Sequence, residues 1–131
     1  MRTRTAAILL ALALLPSLSA CTSSASAGRG ESTATFNKTT GNLYTSTDRT
    51  LDDAFAAAKA AMNDMGYSME KANQDALKGV IVAREADNGR IDVTLERKAE
   101  RVTEIEVGVG PFGNEGKARI ILDKILARLG R

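Results

Sequence analysis

Two stretches, Arg90-Ile91-Asp92-Val93-Thr94-Leu95-Glu96 and Glu104-Ile105-Glu106-Val107-Gly108-Val109, decide the fold of this chain. In the first, Ile91, Val93 and Leu95 alternate with Asp92, Thr94 and Glu96. In the second, Ile105, Val107 and Val109 alternate with Glu104, Glu106 and Gly108. Successive side chains of a strand point to opposite faces, so each stretch reads as a strand with one dry and one wet face. The polar residues around Lys98-Ala99-Glu100 join them into a hairpin.

Upstream, Asp87-Asn88-Gly89 marks another reversal. With Asn88-Gly89 as a two-residue loop, Ala86 would oppose Ile91, Arg84 would oppose Val93, and Arg84 would point into the core. A three-residue loop with Gly89 in the left-handed region moves the register by one. It puts Ile81 and Ala83 on the core face and Arg84 beside Asp92 on the solvent face, and it is the expected arrangement. The strand leading into it covers residues 77–85. Residues 72–75 read as a turn, and 67–71 as a short strand with Tyr67 and Met69 on one side.

Thr47 and Thr50 compete to start a helix. Thr50-Leu51-Asp52-Asp53 is close to a capping box, with acids where the helix dipole favours them. Leu51, Phe55, Ala58, Met62 and Met65 then form one apolar stripe, and Gly66 ends the helix. Residues 36–45 read as a weak strand interrupted at Gly41-Asn42. Beyond Gly110-Pro111-Phe112-Gly113, Asn114 caps a final helix with a stripe of Ala118, Ile121, Leu122, Ile125 and Leu129. Ile120 and Leu126 flank that stripe, and Gly130 stops the helix. The order is β-α-β-β-β-β-α. Two single-faced helices and a sheet with one apolar face must cover each other. The expected fold is therefore α+β, a twisted antiparallel sheet of four to five strands with both helices on one face.

The N-terminus has a different character. Arg2 and Arg4 precede an unbroken Ala, Ile and Leu run from Ala6 to Leu15, and Pro16 interrupts it. Such a run rises roughly 15 Å as a helix, about half of a hydrocarbon core, which suits a secretory leader better than a span. Leu18-Ser19-Ala20-Cys21 follows and resembles the processing site of bacterial lipoproteins. That resemblance implies a diacylglyceryl group on the Cys21 thiol and cleavage between Ala20 and Cys21. Two or three acyl chains hold where one is marginal. Thr22 in the next position, rather than Asp, resembles the pattern sorted to an outer membrane in Gram-negative cells. Three parts are expected: a cleaved signal peptide over residues 1–20, a lipidated flexible tether over 21–35, and a periplasmic domain over 36–131. The tether has no large apolar side chain and cannot offset its own ordering entropy.

The chain carries 18 basic and 16 acidic residues. Arg2 and Arg4 leave with the leader, so the mature protein is close to neutral, which disfavours a nucleic-acid partner. Cys21 is the only cysteine, so no disulfide is expected. The absence of His excludes a Ser-His-Asp triad and any His-ligated zinc site.

Three clusters invite a functional reading, and each has a plainer one. Asp92, Glu96, Glu104 and Glu106 face outward, but a flat strand face interspersed with Arg84, Arg90, Arg97 and Arg101 does not wrap a calcium ion. Gly108-x-Gly110-x-x-Gly113 has the form of a phosphate loop. Yet Pro111 and Phe112 occupy positions where backbone N–H groups should face phosphate, and the unit is antiparallel. It reads better as a tight connection with Phe112 tucked against the core. Met62, Met65 and Met69 read as core filling rather than an adaptable binding surface.

From about Leu43 to Leu129 the chain resembles an uncharacterised family of small bacterial lipoproteins containing a domain of unknown function. The features that carry the likeness are the helix ending in Met65-Gly66-Tyr67, the segment Ala86-Asp87-Asn88-Gly89-Arg90-Ile91, and Val107-Gly108-Val109-Gly110-Pro111-Phe112-Gly113-Asn114. Asn114 stands where the family pattern carries Asp, and both residues cap helices. The resemblance implies no catalytic residues. The expected function is a non-enzymatic, lipid-anchored envelope module, without cofactor or metal, held to the membrane through Cys21 and touching other envelope proteins. The alternative is a small-ligand carrier, which requires Phe55, Met62, Val93 and Val107 to leave a cavity of roughly 300 Å³ between helices and sheet.

Overall fold

The computed structural model describes residues 33–130. Six strands and two helices follow in order: β1 (Thr35–Asn37), β2 (Asn42–Thr47), α1 (Leu51–Asp64), β3 (Ser68–Gln74), β4 (Lys78–Arg84), β5 (Arg90–Ala99), β6 (Val102–Val109) and α2 (Glu115–Arg128). The strands form one antiparallel sheet in the order β1-β2-β6-β5-β4-β3. Both helices cover one face, α1 over β3, β4 and β5, α2 over β6 and β2, and they pack on each other.

The alternation read in the sequence supplies the core. Leu43, Val107, Val93, Ile81 and Ala72 line up in register across β2, β6, β5, β4 and β3. Val109, Ile91, Ala83 and Met69 form the next row. Against these rows α1 sets Leu51, Phe55, Ala58 and Met62, and α2 sets Ala118, Ile121, Leu122 and Ile125, all buried. Gly79 belongs to this packing. A Cβ there would lie 2.6 Å from Phe55 Cδ2, so the missing side chain is what lets the ring lie on β4.

Thr50, not Thr47, caps α1: its Oγ1 accepts the Asp53 N–H at 3.2 Å. At the other end Gly66 (φ 73) turns left-handed, Tyr67 N–H reaches Met62 O and Gly66 N–H reaches Asn63 O, both at 3.0 Å. Two orphan carbonyls are thereby satisfied. Asn114 Oδ1 accepts the Lys117 N–H at 3.0 Å to start α2.

The sheet has six strands, not four to five. Residues 36–45, expected as one weak strand, hold most of two, and β1 begins at Thr35 inside the expected tether. Gly41 (φ 72) permits the reversal between them. Asn37 fixes it, its carboxamide oxygen accepting Thr39 N–H and its backbone oxygen accepting Gly41 N–H. Residues 72–75, expected as a turn, mostly continue β3. A bulge between Met69 and Lys71 inserts one extra residue, so Met69 and Ala72 both face the helices although their spacing is odd. The reversal follows at Asp75, whose carboxylate takes the Leu77 and Lys78 N–H groups at 2.8 Å.

The β4–β5 loop has three residues, but one position earlier than expected. Asn88 (φ 70), not Gly89, is left-handed. Glu85 N–H bonds Gly89 O, Asn88 N–H bonds Glu85 O, and the Asp87 carboxylate holds Gly89 N–H at 3.0 Å. Asparagine tolerates that conformation well enough for these bonds to decide the position. Arg84 therefore stands opposite Arg90 rather than Asp92, while Ile81 and Ala83 keep the core face.

Candidate functional site

Leu18, Ser19, Ala20 and Cys21 lie outside the described residues. Among the described residues, no helix is long and apolar enough to cross a membrane.

The outward acids are each engaged by neighbours on the open sheet face. Asp92 receives Arg90 Nε and Nη2 at 2.9 Å. Lys98 Nζ bridges Glu96 at 3.0 Å and Glu104 at 3.3 Å, and these bonds, Glu96 first, raise the lysine pKa. Glu106 Oε1 accepts from Asn42 Nδ2 at 2.5 Å and from Tyr44 OH at 3.0 Å. Four carboxylates that were candidates for one cation are thus spread along β5 and β6, Asp92 on Arg90, Glu96 and Glu104 sharing Lys98, and Glu106 on Asn42 and Tyr44. No three His, Cys, Asp or Glu residues converge to hold a metal ion among the described residues.

Arg97 does not belong to that outer face. Its register partner is Thr103, so it continues the inward positions of β5 beneath Leu95. Thr47, Thr103 and Arg97 form a polar row that closes the core at this end of the sheet. Thr103 is fully buried and donates its hydroxyl to Arg49 O at 2.9 Å. Thr47 Oγ1 and Arg97 Nε are buried without a hydrogen-bond partner.

Between helices and sheet the space is filled. Met62, Val93 and Val107 are fully buried and Phe55 nearly so. Open grooves lie instead on the outer surface of the helix layer. One of about 400 Å³ is lined by Arg49, Asp53, Ala56, Ala57, Ala60, Arg128 and Leu129. Another of about 480 Å³ lies between the helices beside Met65 and Ile120. Arg128 Nε donates to Asp64 at 2.7 Å across the helix pair, and that bond holds the Asp64 carboxyl below its usual range. Of the three methionines, Met62 is core, while Met65 and Met69 are half-buried and pack against it.

The Gly110–Gly113 connection departs most from expectation. Phe112 is 93% exposed instead of tucked against the core. Gly110 (φ 70) and Gly113 (φ 78) are both left-handed, and Gly110 N–H is tied to Arg90 O at 2.8 Å. Gly113 lies backbone to backbone against Gly41. A Cβ on Gly41 would come within 2.9 Å of Gly113 Cα and of Phe112 O. The β1–β2 turn thus packs against the base of this loop, and Pro111 and Phe112 stand exposed at its tip. The signal was present in the sequence as two glycines bracketing Pro111-Phe112, since a tight glycine-framed turn exposes its tip. The apolar character of phenylalanine outweighed it.

Near the same end, Lys117 Nζ reaches Glu85 at 2.6 Å, which raises the lysine pKa. Burial, and secondarily Glu85, raises that of the Tyr67 phenol.

A sequence model of a family described as "Protein of unknown function (DUF3568)" matches residues 5–128, a span that begins inside the expected leader. No curated protein matches the chain.

Proposed function

That match covers nearly the whole chain, which belongs to the DUF3568 family, and we propose that it works as a lipid-anchored envelope protein whose folded domain is a non-catalytic interaction or structural module. The observation that carries this reading is Leu18-Ser19-Ala20-Cys21 at the end of a short apolar leader with Arg2 and Arg4 in front. Cys21 takes the lipid, residues 1–20 are removed, and the residues before Thr35 serve as a leash. With Thr22 next to the anchor, the address in a Gram-negative cell is the periplasmic face of the outer membrane.

The packing supports a module over a carrier. A ligand between the layers would need the space that Phe55, Met62, Val93 and Val107 occupy. The residue inventory supports a non-catalytic role, since no His is present and the one Cys is committed to lipid. Palmitate labelling of cells expressing the wild type or Cys21→Ser tests the anchor. Label on the wild type alone is expected, and equal label on both overturns the reading.

A further inference from the structure

We infer that Pro111-Phe112 is a bilayer contact: the exposed tip inserts at the headgroup level of the membrane that holds Cys21, fixing how the domain stands on it. The inference rests on the lipid-anchor reading and names the partner of the exposed loop.

Four observations lead there. The ring stands 93% exposed on a turn framed by left-handed Gly110 and Gly113, with the Gly41 contact at its base. A wedge that is already ordered loses little freedom on insertion. The apolar tip is also small. One aromatic ring covers roughly 200 Å², against about 800 Å² on each side of a stable protein interface. That is too little to recruit a protein from solution, but sufficient to orient a domain already confined to a surface, where burial of one ring favours the docked pose roughly ten-fold or more.

The turn beside the tip fits the same partner. Lys38, Thr39 and Thr40 are exposed on the hairpin that contacts Gly113, and Lys38 has no carboxylate partner among the described residues. A cation and hydroxyls beside an apolar wedge suit anionic headgroups. Asp87 on the neighbouring β4–β5 turn bears the opposing charge, and its carboxylate is occupied by the Gly89 N–H. The leash is long enough. From Thr33 to the Lys38 turn is five residues of extended chain, roughly 17 Å. The residues between Cys21 and Thr33 reach about 40 Å when extended. Phe112 can therefore meet the bilayer in which the acyl chains are buried.

The chain has no Trp, so Phe112→Trp gives a single indole. The lipidated full-length product is reconstituted in phosphatidylethanolamine–phosphatidylglycerol vesicles with or without brominated acyl chains. Emission from position 112 is expected to shift to the blue and to lose about half its intensity or more on the brominated lipid. Leu77→Trp is the control. Leu77 is exposed in the β3–β4 turn, at the opposite end of the sheet from Phe112, and its emission should not change. Unquenched emission at 112, equal quenching at both positions, or a blue shift without quenching (the sign of burial between copies) overturns the inference. A parallel sample couples Cys21 to a maleimide lipid. If natural acylation is absent by mass spectrometry, the anchor reading fails, while the coupled sample still tests the tip on its own.

Discussion

Gly79→Ala tests whether the close approach of Phe55 to β4 is a true packing constraint. The added methyl would lie 2.6 Å from Phe55 Cδ2, a distance real carbon atoms do not tolerate, and a tight 3.1 Å from Cε2. The ring has little room to yield, because Phe55 is only 8% exposed and wedged between α1 and the sheet. Overpacking of this kind costs roughly 1–3 kcal/mol. Replacing Gly by Ala in an extended strand recovers about 0.5–1 kcal/mol of chain entropy. The net expectation is a loss of about 1–2 kcal/mol. For a domain of this size that lowers Tm by roughly 4–16 °C. Thermal unfolding followed by circular dichroism reads it directly. Phe55→Val, which has no δ carbons, provides the cycle. Alone it is destabilising by cavity formation, but Gly79→Ala should cost little further on that background, giving a coupling energy of about 1–3 kcal/mol. A Gly79→Ala variant as stable as the wild type, or costs that simply add in the double variant, would refute the steric argument.

The polar row at the sheet's end predicts opposite signs for two threonines. Thr103→Val removes a buried bond to Arg49 O and should cost about 1 kcal/mol, whereas Thr47→Val deletes an unpartnered buried hydroxyl and should be neutral or stabilising. Urea midpoints of the two variants compare them, and a loss at Thr47 matching that at Thr103 contradicts the assignment. Asn114→Ala removes the α2 cap and should cost about 1 kcal/mol by the same measurement. Asp64 and Asp75 have lowered pKa values, through the Arg128 bond and the Leu77 and Lys78 N–H groups respectively. Their contribution is complete above the ordinary value of 3.8 and fades as pH falls through the lower folded values, so Asp64→Asn should shallow the acid limb below about pH 4. Tyr67, Lys98 and Lys117 have raised values, so their contribution is complete below pH 10.0–10.5 and fades as pH rises through the folded values. Tyr67→Phe should flatten part of the alkaline limb, and an unchanged limb counts against burial as its cause.

The sheet was legible where alternation was strict. Ile91, Val93 and Leu95 against Ile105, Val107 and Val109 pair in the structure as the sequence implies, and Thr50, Gly66, Asn114 and Gly130 mark helix ends by their chemistry. Legibility failed where one residue changed the count. The β3 bulge sets Met69 and Ala72 on one face, which no period-two pattern displays, so the strand looked short and its end looked like a turn. In the β4–β5 loop the expected and the observed three-residue registers keep the same faces, and only local bonds at Glu85, Asp87 and Asn88 choose between them. Arg97 follows the inward parity of β5, whereas its charge by itself points outward. Phe112 differs in the opposite sense: its apolar character points inward, while it stands exposed on a glycine-framed turn.

The contact between Gly41 and Gly113 also determines how the domain responds to mechanical load. Any pull transmitted from the N-terminal side enters at β1, which holds to β2 over only three residue pairs. That short strand, which packs only Ala34 and Phe36 against the core, is the first to peel, and freeing residues 33–37 lengthens the connection by about 17 Å. Peeling then meets the place where the hairpin turn is pressed backbone to backbone on the β6–α2 connection. The first hairpin is in effect an extensible spring with a stop, which lets the chain ahead of β1 lengthen while the rest of the molecule stays folded.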